Sequence, residues 1–137
     1  MPNRQLEVAL QALTTLSEMP ADESLPLSVL APQLGVSLSY MEAMFMALRQ
    51  ARLVESQRGP GGGYRLAVDP ETLSVATVAQ ALGLHTLTGQ REPRGEPPAP
   101  TIEHQAVERL WDRLEQHALR ALEPTRLADL SERTEPA

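Results

Sequence analysis

Residues 25–67, LPLSVLAPQLGVSLSYMEAMFMALRQARLVESQRGPGGGYRLA, constrain the fold of this chain more than any other stretch. A short helix with a forced stop runs directly into a second helix with its own cap, then into two β-prone runs around a glycine-rich tip. In the first helix Ser28 is placed to cap, and Val29, Leu30 and Leu34 supply the apolar side. Pro32 then falls in the first turn, where a missing N–H costs little. Gly35 provides the left-handed stop that a β-carbon would resist. Ser37 caps the second helix, along which Leu38, Met41, Met44, Phe45 and Leu48 recur at helical spacing. Leu53 and Val54 open a strand, residues 59–63 form a GPGGG loop, and residues 64–67 return, with 25–27 as a small edge strand. Helix, turn, helix, hairpin is the order of a winged helix-turn-helix. The expected fold is mainly α with a small β wing, and the expected chemistry is DNA binding.

A recognition helix sets its N-terminal side chains against base edges in the major groove. Ser39, Tyr40, Glu42 and Ala43 lie off the apolar stripe and face that way. Ser39 donates or accepts, Tyr40 reaches a phosphate, and Glu42 accepts from cytosine N4. Ser37 is a further candidate; the plainer reading is that Ser37 only caps, Tyr40 packs, and Glu42 favours the positive end of the helix. Arg49 either binds phosphate or complements the helix C-terminus. In the wing, Arg58 precedes the glycines, and the minor groove favours an inserted guanidinium. Gly59, Gly61, Gly62 and Gly63 let backbone come close to a duplex; the alternative is a solvated hairpin with a stray arginine. A nucleotide-binding loop is not supported. No Gly-Lys-Ser/Thr ending and no helix directly follow the glycines.

Residues 36–64, VSLSYMEAMFMALRQARLVESQRGPGGGY, resemble the core signature of the IscR-type (Rrf-two) bacterial transcriptional regulators. In that family a Ser-Leu-Ser-Tyr-Leu-Glu helix opening precedes a Leu-Val strand and an Arg-Gly-Pro-Gly-Gly-Gly-Tyr wing, which stands unchanged here at 58–64. The resemblance extends more weakly over roughly residues 4–133. It implies that the serine, tyrosine and glutamate of the recognition helix meet DNA, and that a long C-terminal helix makes a homodimer by crossing its counterpart. Three departures stand out. Only Arg4 is basic near the first helix, where relatives carry basic residues before a Tyr-Ala pair. Ala43, Met46 and Ala47 stand where relatives often have longer polar or basic side chains. The three cysteines of cluster-binding relatives are missing: Thr101-Ile102-Glu103-His104 matches a Cys-x-x-His pattern without its cysteine.

The chain has no cysteine at all, which excludes disulfides, thiolate-held iron–sulfur clusters and thiol catalysis. No cofactor is therefore expected, although His85, Glu103 and His104 form a conceivable metal set and His104 a conceivable remnant ligand. The net charge of −6, taken over the whole chain, argues against DNA. Divided along the chain, however, residues 1–35 carry −3, residues 36–68 carry +2, and everything after is acidic. The only positive segment is the proposed DNA-reading one, and its cations are all arginine, suited to bidentate phosphate or guanine contacts. Such a modest positive face implies weak non-specific binding and a need for dimerisation.

Outside the motif, residues 4–19 are expected as a first helix with Leu6, Leu10, Leu13 and Leu16 along one side, and 73–82 as a helix ended by Gly83. Residues 85–100, polar and proline-rich, read as a mobile loop. Residues 102–122 form a long helix on which Val107, Trp111, Leu114, Ala118 and Ala121 follow a 4-3-4-3 spacing, widened by Leu110. A stripe of that length points to a partner helix, with folding back onto its own domain as the alternative. Thr125 is placed to cap a short final helix. The organisation expected is a winged domain over 1–83, a loop over 84–100, and a dimerisation helix with its tail over 101–137. No apolar run approaches the roughly 20 residues of a membrane span, and the N-terminus lacks a signal-peptide layout, so a cytoplasmic location is expected. Nucleophile-and-base pairs are absent, so catalysis is not expected. The function that follows is a sequence-specific, homodimeric transcriptional regulator on a palindromic operator of double-stranded DNA. A winged-helix protein-interaction module is the alternative. Target genes, the sign of regulation, and any small-molecule or protein effector are left open.

Overall fold

The computed structural model describes residues 3–59, 62–83 and 101–131. Gly61, His85 and the expected loop over 84–100 lie outside the described residues. The chain opens with α1 (Arg4–Ser17), whose cap Asn3 accepts the Leu6 N–H on its side chain at 3.0 Å. α1 buries Val8, Ala9, Ala12, Leu13 and Leu16. Leu6 and Leu10, expected on its inner face, are half-buried at the edge.

α2 (Leu27–Leu34) corrects two expectations. Pro26, not Ser28, occupies the cap position, and Ser28 lies exposed in the first turn. Pro32 is consequently inside the helix rather than in its first turn, and withholds the N–H that would bond the Ser28 carbonyl. Gly35 does end the helix in the left-handed region, at φ 69°, and Val36 N–H closes back on the Ala31 carbonyl at 3.1 Å.

Ser37 caps α3 (Leu38–Gln50) as expected, its Oγ accepting the Tyr40 N–H at 3.1 Å. Met41, Met44, Phe45 and Leu48 are buried. Leu38, assigned to the same stripe, is 43% exposed. At 100° per residue it sits roughly 70° from the middle of the buried face, on the side that carries Glu42, Met46 and Arg49. α3 ends through Arg52 in the left-handed region, φ 64°, with Leu53 N–H bonded to the Leu48 carbonyl at 3.0 Å.

β1 (Val54–Gln57) and β2 (Gly63–Leu66) pair antiparallel, with Val54 opposite Leu66 and Gln57 opposite Gly63. The expected third edge is reduced to Leu25, which exchanges two backbone hydrogen bonds with Tyr64 at 2.9 and 2.8 Å. That contact explains a glycine. A β-carbon on Gly63 would collide with the Leu25 carbonyl and the Pro26 nitrogen, so strand and chain could not close together.

α4 (Val75–Leu82) begins two residues later than expected because Ser74 takes the cap, accepting the Ala76 N–H at 3.0 Å. α5 (Ile102–Leu122) has the expected bounds and is capped by Thr101, whose Oγ1 accepts the His104 N–H at 3.0 Å. The final helix is a 3-10 turn (Leu127–Leu130), not an α-helix capped by Thr125. Asp129 accepts the Arg126 N–H at 2.8 Å instead. Leu127 is fully buried in the same core as Phe45, Leu13, Leu30, Met41 and Leu48. The segment after α5, grouped above with the dimerisation helix, therefore completes the core of the winged part.

Candidate nucleic-acid interface

The core-facing side of α3 fixes what its other side presents. Phe45 meets the Tyr64 ring edge-on, with centroids 5.0 Å apart and planes at 65°. This locks the recognition helix to the returning strand of the wing, an arrangement worth about 0.5–1.5 kcal/mol beyond area burial. With the inner face anchored, Ser39, Glu42, Ala43, Met46 and Arg49 all stand exposed. Tyr40, expected among them, is half-buried and packs against the core along one flank of the helix. Between α3 and the wing lies an open groove of about 510 Å³, walled by Leu38, Glu42, Met46 and Arg49 on one side and Gly62, Gly63 and Tyr64 on the other.

The arginines divide by partner. Arg65 is paired across the hairpin with Glu55, Nε to Oε1 at 2.8 Å, the one ion pair among the described residues. Both groups are partly exposed, so the pair orders the wing more than it stabilises it. Arg49 and Arg58 are exposed, with no side-chain partner among the described residues, and are available to an anion. Gly62 has an internal reason to be glycine. A β-carbon there would strike the Gln57 carbonyl, while its N–H closes the wing turn on the Gly59 carbonyl at 2.8 Å. Gly59 itself is at φ 98°, which favours glycine. Gly59, Gly62 and Gly63 thus shape the wing whatever approaches it.

Among the described residues, α5 is fastened near its C-terminal end. Leu119 packs against Ala76 and Ala79 of α4, and the Ser74 hydroxyl donates toward the Leu122 and Glu123 carbonyls at 3.3 and 3.1 Å. Glu115 and Leu119 are its buried residues. Val107, Leu110, Trp111 and Leu114, the expected seam, are between 37% and 52% exposed, while Ala118 is half-buried and Ala121 exposed. Among the described residues no helix is long and apolar enough to cross a membrane.

Against known proteins, residues 3–133 match the family model of Rrf2, described as iron-dependent transcriptional regulators. The chain belongs to the Rrf2 family. The IscR regulator of Cereibacter sphaeroides is 34% identical over 120 residues, covering 84% of this chain and 75% of that relative. The IscR of Vibrio vulnificus is 53% identical over 57 residues, 42% of this chain and 34% of its own length, so the chain spans only about a third of that relative. Among solved structures, Staphylococcus aureus CymR in its oxidized form superposes with TM-score 0.67 at 26% identity, covering 96% of each chain. IscR from T. potens superposes with TM-score 0.66 at 23% identity, covering 98% of this chain and 88% of that one. The Rrf2 fold, with its two-stranded wing and long C-terminal helix, is therefore shared.

A thiolate-held iron–sulfur cluster does not fit this Rrf2 chain's residues. There is no cysteine, and Thr101, which the resemblance sets in the place of a cysteine, spends its hydroxyl oxygen on capping α5. His104 is exposed, and among the described residues no group of three or more metal-ligating side chains converges. Neither a cluster nor an iron-dependent step is assigned.

One feature of the surface was not legible in the sequence, and one was legible in part. Leu38 looked like core because it sits one turn before Met41, and only the position of the buried face shows it lining the groove. The contact of Leu25 with Tyr64, which places the wing against the start of α2, had a weak signal in the β-prone run at 25–27.

Proposed function

We propose that this chain is a sequence-specific, DNA-binding regulator that acts as a homodimer without an iron–sulfur cluster. The observation that carries the reading is the shared surface of α3 and the wing. Glu42 and Arg49 line one side of an open groove, with Ser39 exposed on the same helix, and the other wall is the wing, whose Arg58 is exposed and has no side-chain partner among the described residues. In this reading α3 enters the major groove, where Ser39 and Glu42 meet base edges and Ser37, Tyr40 and Arg49 contact the backbone. Arg58, with Gly61 and Gly62 in the hairpin tip, follows the minor groove. The seam of Val107, Leu110, Trp111, Leu114 and Ala118 on α5 crosses its counterpart in a second chain, and the two-fold symmetry demands a palindromic operator. Exposing so many large apolar side chains along one helix costs solubility unless a partner covers them. The homology to transcriptional regulators supports a role in the cytoplasm and no enzymatic activity.

The test is selection of genomic fragments by the purified protein, repeated with Arg58→Ala and Glu42→Ala. A palindromic site should be enriched. Arg58→Ala should weaken binding to every sequence about tenfold and lower the salt slope by about one. Glu42→Ala should instead relax preference at one base pair, with about 1–3 kcal/mol of discrimination lost there. No enrichment at low salt, with the fold intact by circular dichroism, would turn attention to the α3 groove as a protein-docking face.

A further inference from the structure

Resting on that DNA reading, we infer that α3 reads thymine through an apolar pair, Leu38 and Met46, which take thymine C5-methyl groups on either side of the base met by Glu42. Three observations carry this. Leu38 is 43% and Met46 61% exposed on a helix whose other large apolar side chains, Met41, Met44, Phe45 and Leu48, are fully inside. Both line the groove between α3 and the wing, together with Glu42 and Arg49. Finally, the three follow one another at intervals of four residues, Leu38, Glu42, Met46, so that a carboxylate is flanked a turn above and a turn below by hydrocarbon.

The chemistry of the major groove offers one apolar group, the thymine methyl, and otherwise donors and acceptors. An exposed leucine and methionine on a reading face therefore gain from thymine and lose against any base whose polar edge they would bury. Methionine suits the task because its unbranched thioether adapts to small changes of register. Leu38 and Met46 are about 12 Å apart along the helix axis, close to the rise of three or four base pairs. Glu42, unable to sit against phosphate, is directed to a base-edge donor between them, for which cytosine N4 is suited. Ala43 next to it is too short to compete for the same base. The half-site expected is a cytosine flanked by thymines within that span.

The experiment uses the selected operator and replaces each thymine in turn by deoxyuridine, which removes the methyl and leaves the hydrogen-bonding edge unchanged. Affinities are measured by fluorescence anisotropy for the parent protein and for Met46→Ala, Leu38→Ala and Met46→Leu. One or two uracil positions per half-site should cost the parent about fourfold each, the value of one buried methyl(ene). The matching alanine variant should no longer distinguish uracil from thymine at its position, while Met46→Leu should keep the distinction. If the parent binds every uracil-substituted site as tightly as the original, the inference falls and DNA binding stands. The inference also falls if the penalty is the same in parent and alanine variants, because the methyl would then act through DNA shape. Failure to bind any DNA would overturn the underlying reading and this one with it.

Discussion

α3 and α5 both expose large apolar side chains, but they are held in opposite ways. α3 is pinned along its whole length: four buried residues face the core, its first turn is capped by Ser37, and Phe45 grips Tyr64 of the wing. Among the described residues α5 is pinned near its end, through Leu119 and the Ser74 hydroxyl, while Val107, Leu110, Trp111 and Leu114 keep 37–52% of their surface exposed. The exposed sides differ to match. On α3 two apolar residues are set among Ser39, Glu42 and Arg49, a mixed face suited to a patterned polar surface. On α5 the stripe is nearly continuous and suited to another stripe like itself. A helix that must place side chains to a fraction of an ångström is braced by its own domain. In the proposed dimer α5 has only to be covered, and a partner helix supplies the bracing.

The largest effect comes from breaking the brace. Phe45→Ala removes the largest fully buried side chain together with its contact to Tyr64. It should cost about 3–5 kcal/mol, read as a lower urea midpoint, and should abolish DNA binding at temperatures where the parent is folded. Unchanged affinity would show that α3 does not depend on its core for position. The next test breaks the other helix. Replacing Leu110 and Leu114 together by Asp places charge on the exposed stripe of α5 without touching Leu119 or Leu127. Each apolar side chain lost from a fully buried interface is worth about 1.5–3 kcal/mol, so self-association should weaken at least a hundredfold. Light scattering should then report the 15.0 kDa chain alone, with the thermal midpoint nearly unmoved. A species of twice that mass in the variant would place the dimer contact elsewhere.

Much of this was legible in the residues because local signals agreed with each other. Gly35, Ser37 and the heptad-like spacing of Met41, Met44 and Leu48 each specify one local state, and the unchanged wing at 58–64 specifies the next. What failed did so where a tertiary contact outranked a local preference. Ser28 is a good cap by type, yet Pro26 takes the position because Leu25 is tied to Tyr64 and fixes where the chain turns into α2. Leu38 has core spacing but lies beyond the edge of the buried sector. Leu127 gave no sign that it would finish the core, since that depends on backbone bonds from Leu127 to Leu73 and from Ala128 to Pro70 across more than fifty residues of sequence. The site residues were legible as types, and their faces only in part: Tyr40 turned out to be a flank, and the glycines of the wing have internal reasons to be small.

The smallest effect sharpens the comparison at its most ambiguous residue. Ser37 caps α3 through its oxygen, which accepts the Tyr40 N–H, and this leaves the hydroxyl proton to donate outward beside a helix N-terminus where phosphates are favoured. Ser37→Ala removes both roles and should cost about 1 kcal/mol of stability. Ser37→Gly separates them, because glycine at a cap position costs only a few tenths of a kcal/mol yet has no donor. If Ser37 touches DNA, the glycine variant should regain the stability of the parent but keep the weaker affinity of the alanine variant, about two- to fivefold down for one neutral hydrogen bond. If it only caps, stability and affinity should recover together. The two variants therefore decide whether the first residue of the recognition helix belongs to the brace or to the reading face.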